Sequence, residues 1–273
     1  MTTLAGKATS RSTGGGDVDW SDRLARFGLV GKGVLHAVIG LLALEVALGS
    51  SSSEEASSAG AVQWIADRPV GVAALWVMAA SLLALAAWRA ITTVHGDPVE
   101  DDDGWYRGVW AAKALAYGAL AVTFAAGALA GGRTSTSEDE RASETATTVF
   151  DWPLGEWLVV AAGLGVVGVA IYLVAAHTVG RQFARRLRCD EGSSVVTLGR
   201  VGYGLRSVAY VLLGGFLVEA GLSGEEQRAE GLSGALDRAS DAAWGTALLL
   251  GVAVGFLAYG LYCVFEAKLR RSA

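Results

Sequence analysis

Six long apolar stretches, separated by shorter polar segments, define the pattern of hydrophobic and polar positions along this chain. They lie at residues 27–48, 70–93, 109–130, 157–179, 201–222 and 244–265. Each is long enough to cross the hydrocarbon core of a bilayer as an α-helix, which takes about 20 mostly apolar residues. The polar segments between them are too short for a separate soluble domain. The pattern therefore predicts an all-α fold, an integral membrane bundle of six transmembrane helices.

A short motif of basic and aromatic residues opens each odd-numbered span. It has an arginine, a second basic residue six positions later and a polar ring four positions after that: Arg26, Lys32 and His36; Arg107, Lys113 and Tyr117; Arg200, Arg206 and Tyr210. The surrounding sequence also repeats, because residues 23–96 align without a gap on residues 197–270 of the third repeat, which extends over residues 197–271. Residues 104–185 align on both, with three extra residues between their two spans. We therefore predict three tandem helical-hairpin repeats after a disordered cytoplasmic tail at residues 1–22.

The number of spans in each repeat sets the expected symmetry. Two spans leave every copy of the repeat in the same orientation across the membrane. Repeats of this kind are related by an axis along the membrane normal. Three such hairpins predict pseudo-threefold symmetry, with the six helices in a closed or nearly closed ring.

Two further signatures carry a resemblance to a known family. They are the segment from Lys32-Gly33 to Gly40-Leu41-Leu42-Ala43, and Tyr259-Gly260-Leu261-Tyr262 followed by Glu266-Ala267. In these the chain resembles the bacterial membrane proteins of domain of unknown function 1206, which are built from three copies of a two-span unit. The resemblance covers nearly the whole chain after residue 20 and implies an architecture without an established activity. Repeat two departs from it most, since Ala126 stands where Glu45 and Glu219 stand in the other repeats.

The distribution of lysine and arginine residues predicts how the chain is oriented. With both termini in the cytoplasm, 13 of the 22 Lys and Arg residues lie on the cytoplasmic side, five on the outer side and four within spans. Cytoplasmic loops of membrane proteins carry such an excess of positive charge. We therefore expect a multi-pass protein of the bacterial inner (plasma) membrane with both termini cytoplasmic.

Composition agrees with a membrane bundle and argues against several kinds of site. Hydrophobic residues make up 52% of the chain, and the 37 glycines suit helices that pack closely in lipid. The two cysteines predict no disulfide, and the three histidines, His36, His95 and His177, share no depth at which two could clamp a haem. Sequence patterns of catalytic, nucleotide-binding and metal-binding sites are missing. We predict no enzyme activity, no cofactor, no metal site and no nucleic-acid binding.

Three basic residues within the odd-numbered spans form the first candidate site. They occupy equivalent positions, and an aromatic residue lies at a similar depth on each even-numbered span: the cations are Lys32, Lys113 and Arg206, and the aromatic residues are Trp88, Tyr172 and Tyr262. A cation that faced lipid would cost about 3 kcal/mol, so these side chains are expected to face the bundle. Together they could hold a small anion or an anionic lipid headgroup on the cytoplasmic side. Cation–π contacts and snorkelling of the basic side chains explain the same pattern without a ligand.

Two further sets of polar residues are candidates. His36, Tyr117 and Tyr210, one helical turn deeper than the cations, could form a polar ring near the bilayer midplane. Glu45 and Glu219 lie near the outer ends of the first and fifth spans, where they could bind a cation or accept a proton. Simple solvation of a carboxylate at a helix end explains these two residues as well.

Two functions remain open at this point. The first is a non-enzymatic structural or accessory component that contacts anionic lipids or a membrane-protein partner. The second is a small channel or transporter whose path follows the pseudo-threefold axis. They predict different interiors, because a transporter needs a polar cavity containing His36, Tyr117 and Tyr210, whereas a structural protein would fill the axis with Gly, Ala and Leu.

Overall fold

The computed structural model describes residues 15–49, 55–96, 104–131, 138–179, 187, 193–224, 229, 231–240 and 242–269. These residues form nine α-helices: α1 (Gly15–Ala47), α2 (Ser58–Ala66), α3 (Gly71–His95), α4 (Gly104–Leu129), α5 (Glu138–Phe150), α6 (Gly155–Leu173), α7 (Ser194–Ser223), α8 (Leu232–Ser240) and α9 (Gly245–Leu269). A π-helical segment, Val174–Val179, continues α6. The all-α fold predicted from the apolar pattern is confirmed.

Six of these helices, α1, α3, α4, α6, α7 and α9, are long and apolar enough to cross a membrane. They coincide with the six predicted spans, which confirms the multi-pass architecture. The three shorter helices lie in the connections between the two spans of each repeat, with α2 in repeat one, α5 in repeat two and α8 in repeat three. The apolar pattern does not predict these three helices.

The first helix is longer than predicted. α1 begins at Gly15, so residues 15–22, which were expected in a disordered tail, are helical. Residues 1–14 of that tail lie outside the described residues. The helical extension is held by Arg26, whose Nε donates to the Asp22 carboxylate over 2.7 Å. Nη1 of Arg26 also donates to the carbonyl oxygen of Ala267 over 3.1 Å, which fastens the start of α1 to the end of α9.

The spans are arranged as three equivalent repeats require. The second helix of each repeat packs closely along the first helix of another, which gives the pairs α9 with α1, α3 with α4 and α6 with α7. A Cβ atom added at Gly40 of α1 would lie 3.0 Å from the carbonyl oxygen of Ala253 on α9, and one added at Gly214 of α7 would lie 2.7 Å from that of Gly163 on α6. Gly40 and Gly214 are equivalent in the repeats, as are Ala253 and Gly163. These matching contacts confirm the pseudo-threefold arrangement.

Contacts within the three hairpins are not equivalent. In repeats one and three, the first helix has a glycine where the backbone of the second helix approaches. A Cβ added at Gly28 would lie 2.8 Å from the backbone nitrogen of Leu85. One added at Gly202 would lie 2.7 Å from the backbone nitrogen of Tyr259. Val109 stands at this position in repeat two, and its branched side chain prevents the same approach. Among the described residues α4 and α6 do not pack closely together, so the ring is open between them.

Two short helices cover one end of the ring, which we call the capped end. Ser57 begins α2 by accepting a hydrogen bond from the backbone N–H of Gly60 over 3.1 Å. The main hydrophobic core joins Val62 of α2 and Leu236 of α8 to Leu42 of α1 and Phe124 of α4, and all four are buried. Apolar side chains therefore fill the interior of the ring at the capped end. The opposite end, where α1 begins and α9 ends, is called the terminal end.

Candidate functional site

Polar side chains from several spanning helices meet inside the ring, on the terminal side of this apolar core. Arg206 of α7 donates a hydrogen bond from Nη1 to Nε2 of His36 on α1 over 2.9 Å. The other ring nitrogen of His36, Nδ1, lies 2.8 Å from the carbonyl oxygen of Lys32. Because a carbonyl oxygen can only accept, Nδ1 carries the proton and Nε2 accepts from Arg206. His36 is therefore a neutral imidazole that joins α1 to α7.

A tyrosine of α9 contacts two of the cations inside the ring. Cζ of Arg206 lies 3.8 Å from the ring centroid of Tyr259, and Nζ of Lys32 lies 5.1 Å from the same centroid. Nζ of Lys32 is also 5.5 Å from the ring centroid of Tyr117 on α4. The quadrupole of an aromatic ring stabilises a positive charge above its face. Tyr259 therefore allows two like charges to lie near each other inside the bundle.

Lys113 of α4 completes a group of three basic residues, Lys32, Lys113 and Arg206, which we call the cation cluster. Lys113 interacts electrostatically with the other two, with Arg89 of α3 and with Glu266 of α9. Glu266 is the one carboxylate among these partners. Around Lys113, positive charge therefore exceeds negative charge in the part of the chain that the structure describes.

Arg206 is buried with an incompletely satisfied charge. Its side chain is 5% exposed, and its Nε atom makes no hydrogen bond. No carboxylate among the described residues forms an ion pair with its guanidinium. The rings of Tyr210 and Tyr203 lie 5.2 and 5.6 Å from its Cζ, in addition to that of Tyr259. These rings and His36 offset part of the desolvation cost, and the guanidinium can still bind an anionic oxygen.

Further aromatic rings extend the site toward α6. The ring centroid of Tyr203 on α7 lies 4.8 Å from that of Tyr259 and 4.3 Å from that of His177. His177 belongs to the π-helical segment at the end of α6 and is buried. A π-helical turn changes the face on which a side chain lies, and such turns often occur at functional sites. The segment thus brings a side chain from repeat two to the edge of the site.

The structure brings the members of the first predicted site together only in part. Lys32 and Arg206 share the ring of Tyr259, and Lys113 interacts electrostatically with both, but the predicted aromatic partners lie in different surroundings. Tyr262 is buried, with its ring centroid 6.2 Å from that of Tyr259. Trp88 is buried against its neighbour Arg89, whose Cζ lies 4.0 Å from the indole ring. Tyr172 is 43% exposed on α6. The aromatic residues form no symmetric ring, because the side chains around them differ among the repeats.

The second predicted set, His36, Tyr117 and Tyr210, does not form a separate ring. Each of its members contacts a cation: His36 accepts a hydrogen bond from Arg206, Tyr117 faces Nζ of Lys32, and Tyr210 lies beside the guanidinium of Arg206. The long basic side chains reach the level of the next helical turn, which merges the two predicted sets. The cations and the rings are therefore one polar site inside the ring.

The predicted outer carboxylates lie at the capped end, away from this site. Glu219 pairs with Arg238 of α8, with 3.3 Å between the carboxylate and Nη2. Glu45 is half-buried near the end of α1, and Trp64 stands on α2 at the repeat position of Arg238. Within the described residues no group of three His, Cys, Asp or Glu could hold a metal ion. The ion pair of Glu219 links α7 to α8 and differs from the surroundings of Glu45.

Sequence reasoning missed Tyr259, Tyr203 and His177 as members of the site. Tyr259 precedes Tyr262 by three residues and Tyr203 precedes Arg206 by three, so each pair lies on one helix face. That spacing could have identified both residues. The place of His177 depends on the π-helical segment, which the apolar pattern did not indicate.

Comparison with known proteins supports the repeat architecture. The model of the family described as "Domain of Unknown Function (DUF1206)" matches three times, at residues 27–96, 109–176 and 201–270. A relative in Bacillus subtilis (strain 168), "Uncharacterized protein YxxB", is 23% identical over 262 residues, which cover 90% of each chain. No solved structure matches this chain. Each of the three matches spans one helical hairpin, and the chain belongs to the family of Domain of Unknown Function (DUF1206).

Proposed function

We propose that this chain is a non-enzymatic protein of the bacterial inner membrane that binds an anion at the cation cluster. The observation that carries the proposal is Arg206, which is 5% exposed, lacks an ion pair among the described residues and has an Nε atom without a hydrogen bond. The chemistry of the ligand is that of a phosphate group, either on a lipid headgroup or free in solution. The sequence contains no known catalytic motif, which agrees with a binding role.

The energetics of charge burial support a bound anion. Placing a cation at the centre of a membrane costs about 3 kcal/mol even on the most lenient scale. Arg206 and Lys32 lie over the same tyrosine ring, and Lys113 adds a third positive charge nearby. The cation–π contacts and His36 offset a part of this cost. An anion with several oxygen atoms would satisfy the remaining N–H groups, because charge-assisted hydrogen bonds are the strong ones.

The proposed orientation brings the site near the cytoplasmic leaflet. With both termini cytoplasmic, the terminal end of the ring faces the side where anionic lipids are common. Arg206 lies 12 residues after Ser194, the first residue of α7, and 17 residues before Ser223, the last. At a rise of 1.5 Å per residue it lies about 18 Å from the terminal end of that helix. The site is therefore closer to the cytoplasmic surface than to the outer one.

A path along the pseudo-threefold axis has less support. The polar site occupies the axis on the terminal side, as a transporter would require. At the capped end, however, Leu42, Val62, Phe124 and Leu236 are buried in one apolar core. A hydrated path through this core would expose these side chains to water. We therefore favour a binding site that is closed at its outer end.

Native mass spectrometry of the purified protein released from mild detergent tests the proposal. The wild-type protein is expected to carry a reproducible anionic adduct. The triple variant Lys32→Gln, Lys113→Gln and Arg206→Gln should lose it, because amides provide hydrogen bonds without positive charge. An adduct that persists at wild-type occupancy in this variant would contradict the proposal, and so would a wild-type protein without any adduct.

A matched control uses three cations outside the cluster. Arg23, Arg68 and Lys268 are exposed, so the variant Arg23→Gln, Arg68→Gln and Lys268→Gln removes the same formal charge. This control is expected to keep the adduct. Loss of the adduct in both triple variants would show that overall charge, and not the cluster, retains the anion.

A further inference from the structure

The opening between α4 and α6 is a property of repeat two alone. In repeat one, the hairpin contact includes Gly31 and Ser81; in repeat three, the equivalent contact includes Leu205 and Gly255. The corresponding residues of repeat two are Ala112 on α4 and Gly165 on α6, and both are exposed. We call this gap the seam, the space between Ala112 and Gly165. Among the described residues, repeat two is the one repeat whose two spanning helices lack this contact.

The seam is lined by residues with little or no side chain. A Cβ added at Gly165 or Gly168 of α6 would meet no atom within 4 Å, and the seam continues one turn deeper between Ala116 of α4 and Ala162 of α6, which are both exposed. In repeats one and three the equivalents of Gly168 are Ala84 and Ala258, and both are buried. The seam therefore leaves an apolar space at mid-membrane depth, where the other hairpins are filled by protein.

The seam also leads to the cation cluster. Lys113 lies four residues before Tyr117, whose ring faces Lys32 inside the bundle. It nevertheless remains exposed, because no helix of its own hairpin covers that face of α4. Lys113 interacts electrostatically with Arg206 and Glu266 inside, and His177 beyond the seam interacts with Lys113. Lys113, which is exposed at the seam, therefore connects the seam electrostatically to the cations inside the bundle.

We infer that the ligand of the cation cluster is an anionic membrane lipid, whose headgroup lies at Lys113 and Arg206 and whose acyl chain lies in the seam. This inference rests on the proposed function and adds the class of ligand and its route of binding. Two independent observations point to it: the apolar space between α4 and α6, and the buried Nε of Arg206 without a hydrogen bond. A lipid satisfies both, because it carries an anionic group and a hydrocarbon chain.

The depths of these parts fit a lipid of the cytoplasmic leaflet. Lys113 lies nine residues after the first residue of α4, and Ala116 lies three residues further. At 1.5 Å per residue these positions are about 14 and 18 Å from the start of the helix. The charged group is thus nearer the terminal end, and the part of the seam beside Ala116 and Ala162 is nearer the midplane. A free inorganic anion would use the cations and leave the seam without a function.

The test compares two lipids and a free anion on the purified full-length protein after removal of endogenous lipid. The probes are phosphatidylglycerol, zwitterionic phosphatidylethanolamine and inorganic phosphate, with occupancy measured by native mass spectrometry. Phosphatidylglycerol is expected to bind at least about tenfold more tightly than phosphatidylethanolamine, and inorganic phosphate should not displace it. Binding of phosphate without any binding of phosphatidylglycerol would overturn the inference and preserve the proposed anion site.

Filling the seam separates the two proposals further. The variant Ala162→Leu and Gly165→Leu should lower the affinity for phosphatidylglycerol at least about tenfold, because the larger side chains occupy the acyl-chain space. Gly215→Leu is the control, since Gly215 of α7 also has no atom within 4 Å of an added Cβ and lies outside the seam. If the seam variant binds as the wild type does while the cation variant does not, only the inference is overturned. If the cation variant binds as the wild type does, both the inference and the proposed function are overturned.

Discussion

At the scale of single residues, the site depends on one neutral imidazole that joins the guanidinium of Arg206 to the backbone carbonyl of Lys32. His36 donates from Nδ1 to the carbonyl oxygen of Lys32 and accepts at Nε2 from Arg206. Its ring also packs on Phe256 and Tyr259, with centroids 5.9 and 4.9 Å away. The imidazole can therefore neither rotate nor gain a proton without losing a contact. Its role is to position the guanidinium of Arg206.

Replacing His36 tests this role. His36→Leu should lower the free energy of unfolding by about 1–3 kcal/mol, because it removes the acceptor of a buried, charged donor. His36→Gln should lower it less, since its amide oxygen can accept from Arg206. The measurement is unfolding in detergent by a denaturing surfactant, followed by circular dichroism. Equal losses in the two variants would show that the ring contributes through its contacts and not through the hydrogen bond.

At the scale of the helices, adjacent glycines of α7 have opposite roles. Gly214 faces α6, where an added Cβ would lie 2.7 Å from the carbonyl oxygen of Gly163. Gly215 is exposed and has no atom within 4 Å of such a Cβ. Close contact between backbones is a recurrent basis of helix association in membranes, where lipid supplies no hydrophobic driving force between helices. The bundle therefore depends on Gly214 and not on its neighbour.

A pair of substitutions checks this distinction. Gly214→Leu should destabilise the protein by about 1–3 kcal/mol, the usual cost of overfilling a close contact. Gly215→Leu should be neutral or slightly stabilising, because leucine has the better helix propensity. Thermal unfolding in detergent would measure both changes. A loss at Gly215 equal to that at Gly214 would mean that helix propensity or lipid contact, and not the interface with α6, decides the outcome.

At the scale of the whole molecule, the apolar runs and the repeats predict most of the fold and only part of the site. Six spans and three equivalent hairpins follow from composition and alignment alone. Val109 at the position of Gly28 and Gly202 is visible in the sequence, but its consequence depends on knowing that α3 and α9 approach there. The sequence motif that contains Tyr259 likewise does not indicate that its ring contacts Arg206 and Lys32. The site combines unlike residues from different repeats, which a search for equivalent positions cannot find.

The orientation of the whole bundle provides a last prediction. An even number of spans places both termini on one side, and the excess of Lys and Arg residues on that side predicts that it is cytoplasmic. Lys268 at the end of α9 and Glu144 on α5 are exposed near opposite ends of the ring. In a Cys189→Ser background, an impermeant maleimide should label Glu144→Cys in intact spheroplasts, and Lys268→Cys only after lysis. The reverse pattern would place the cation cluster near the outer leaflet, and its ligand would then have to come from the outer lipids.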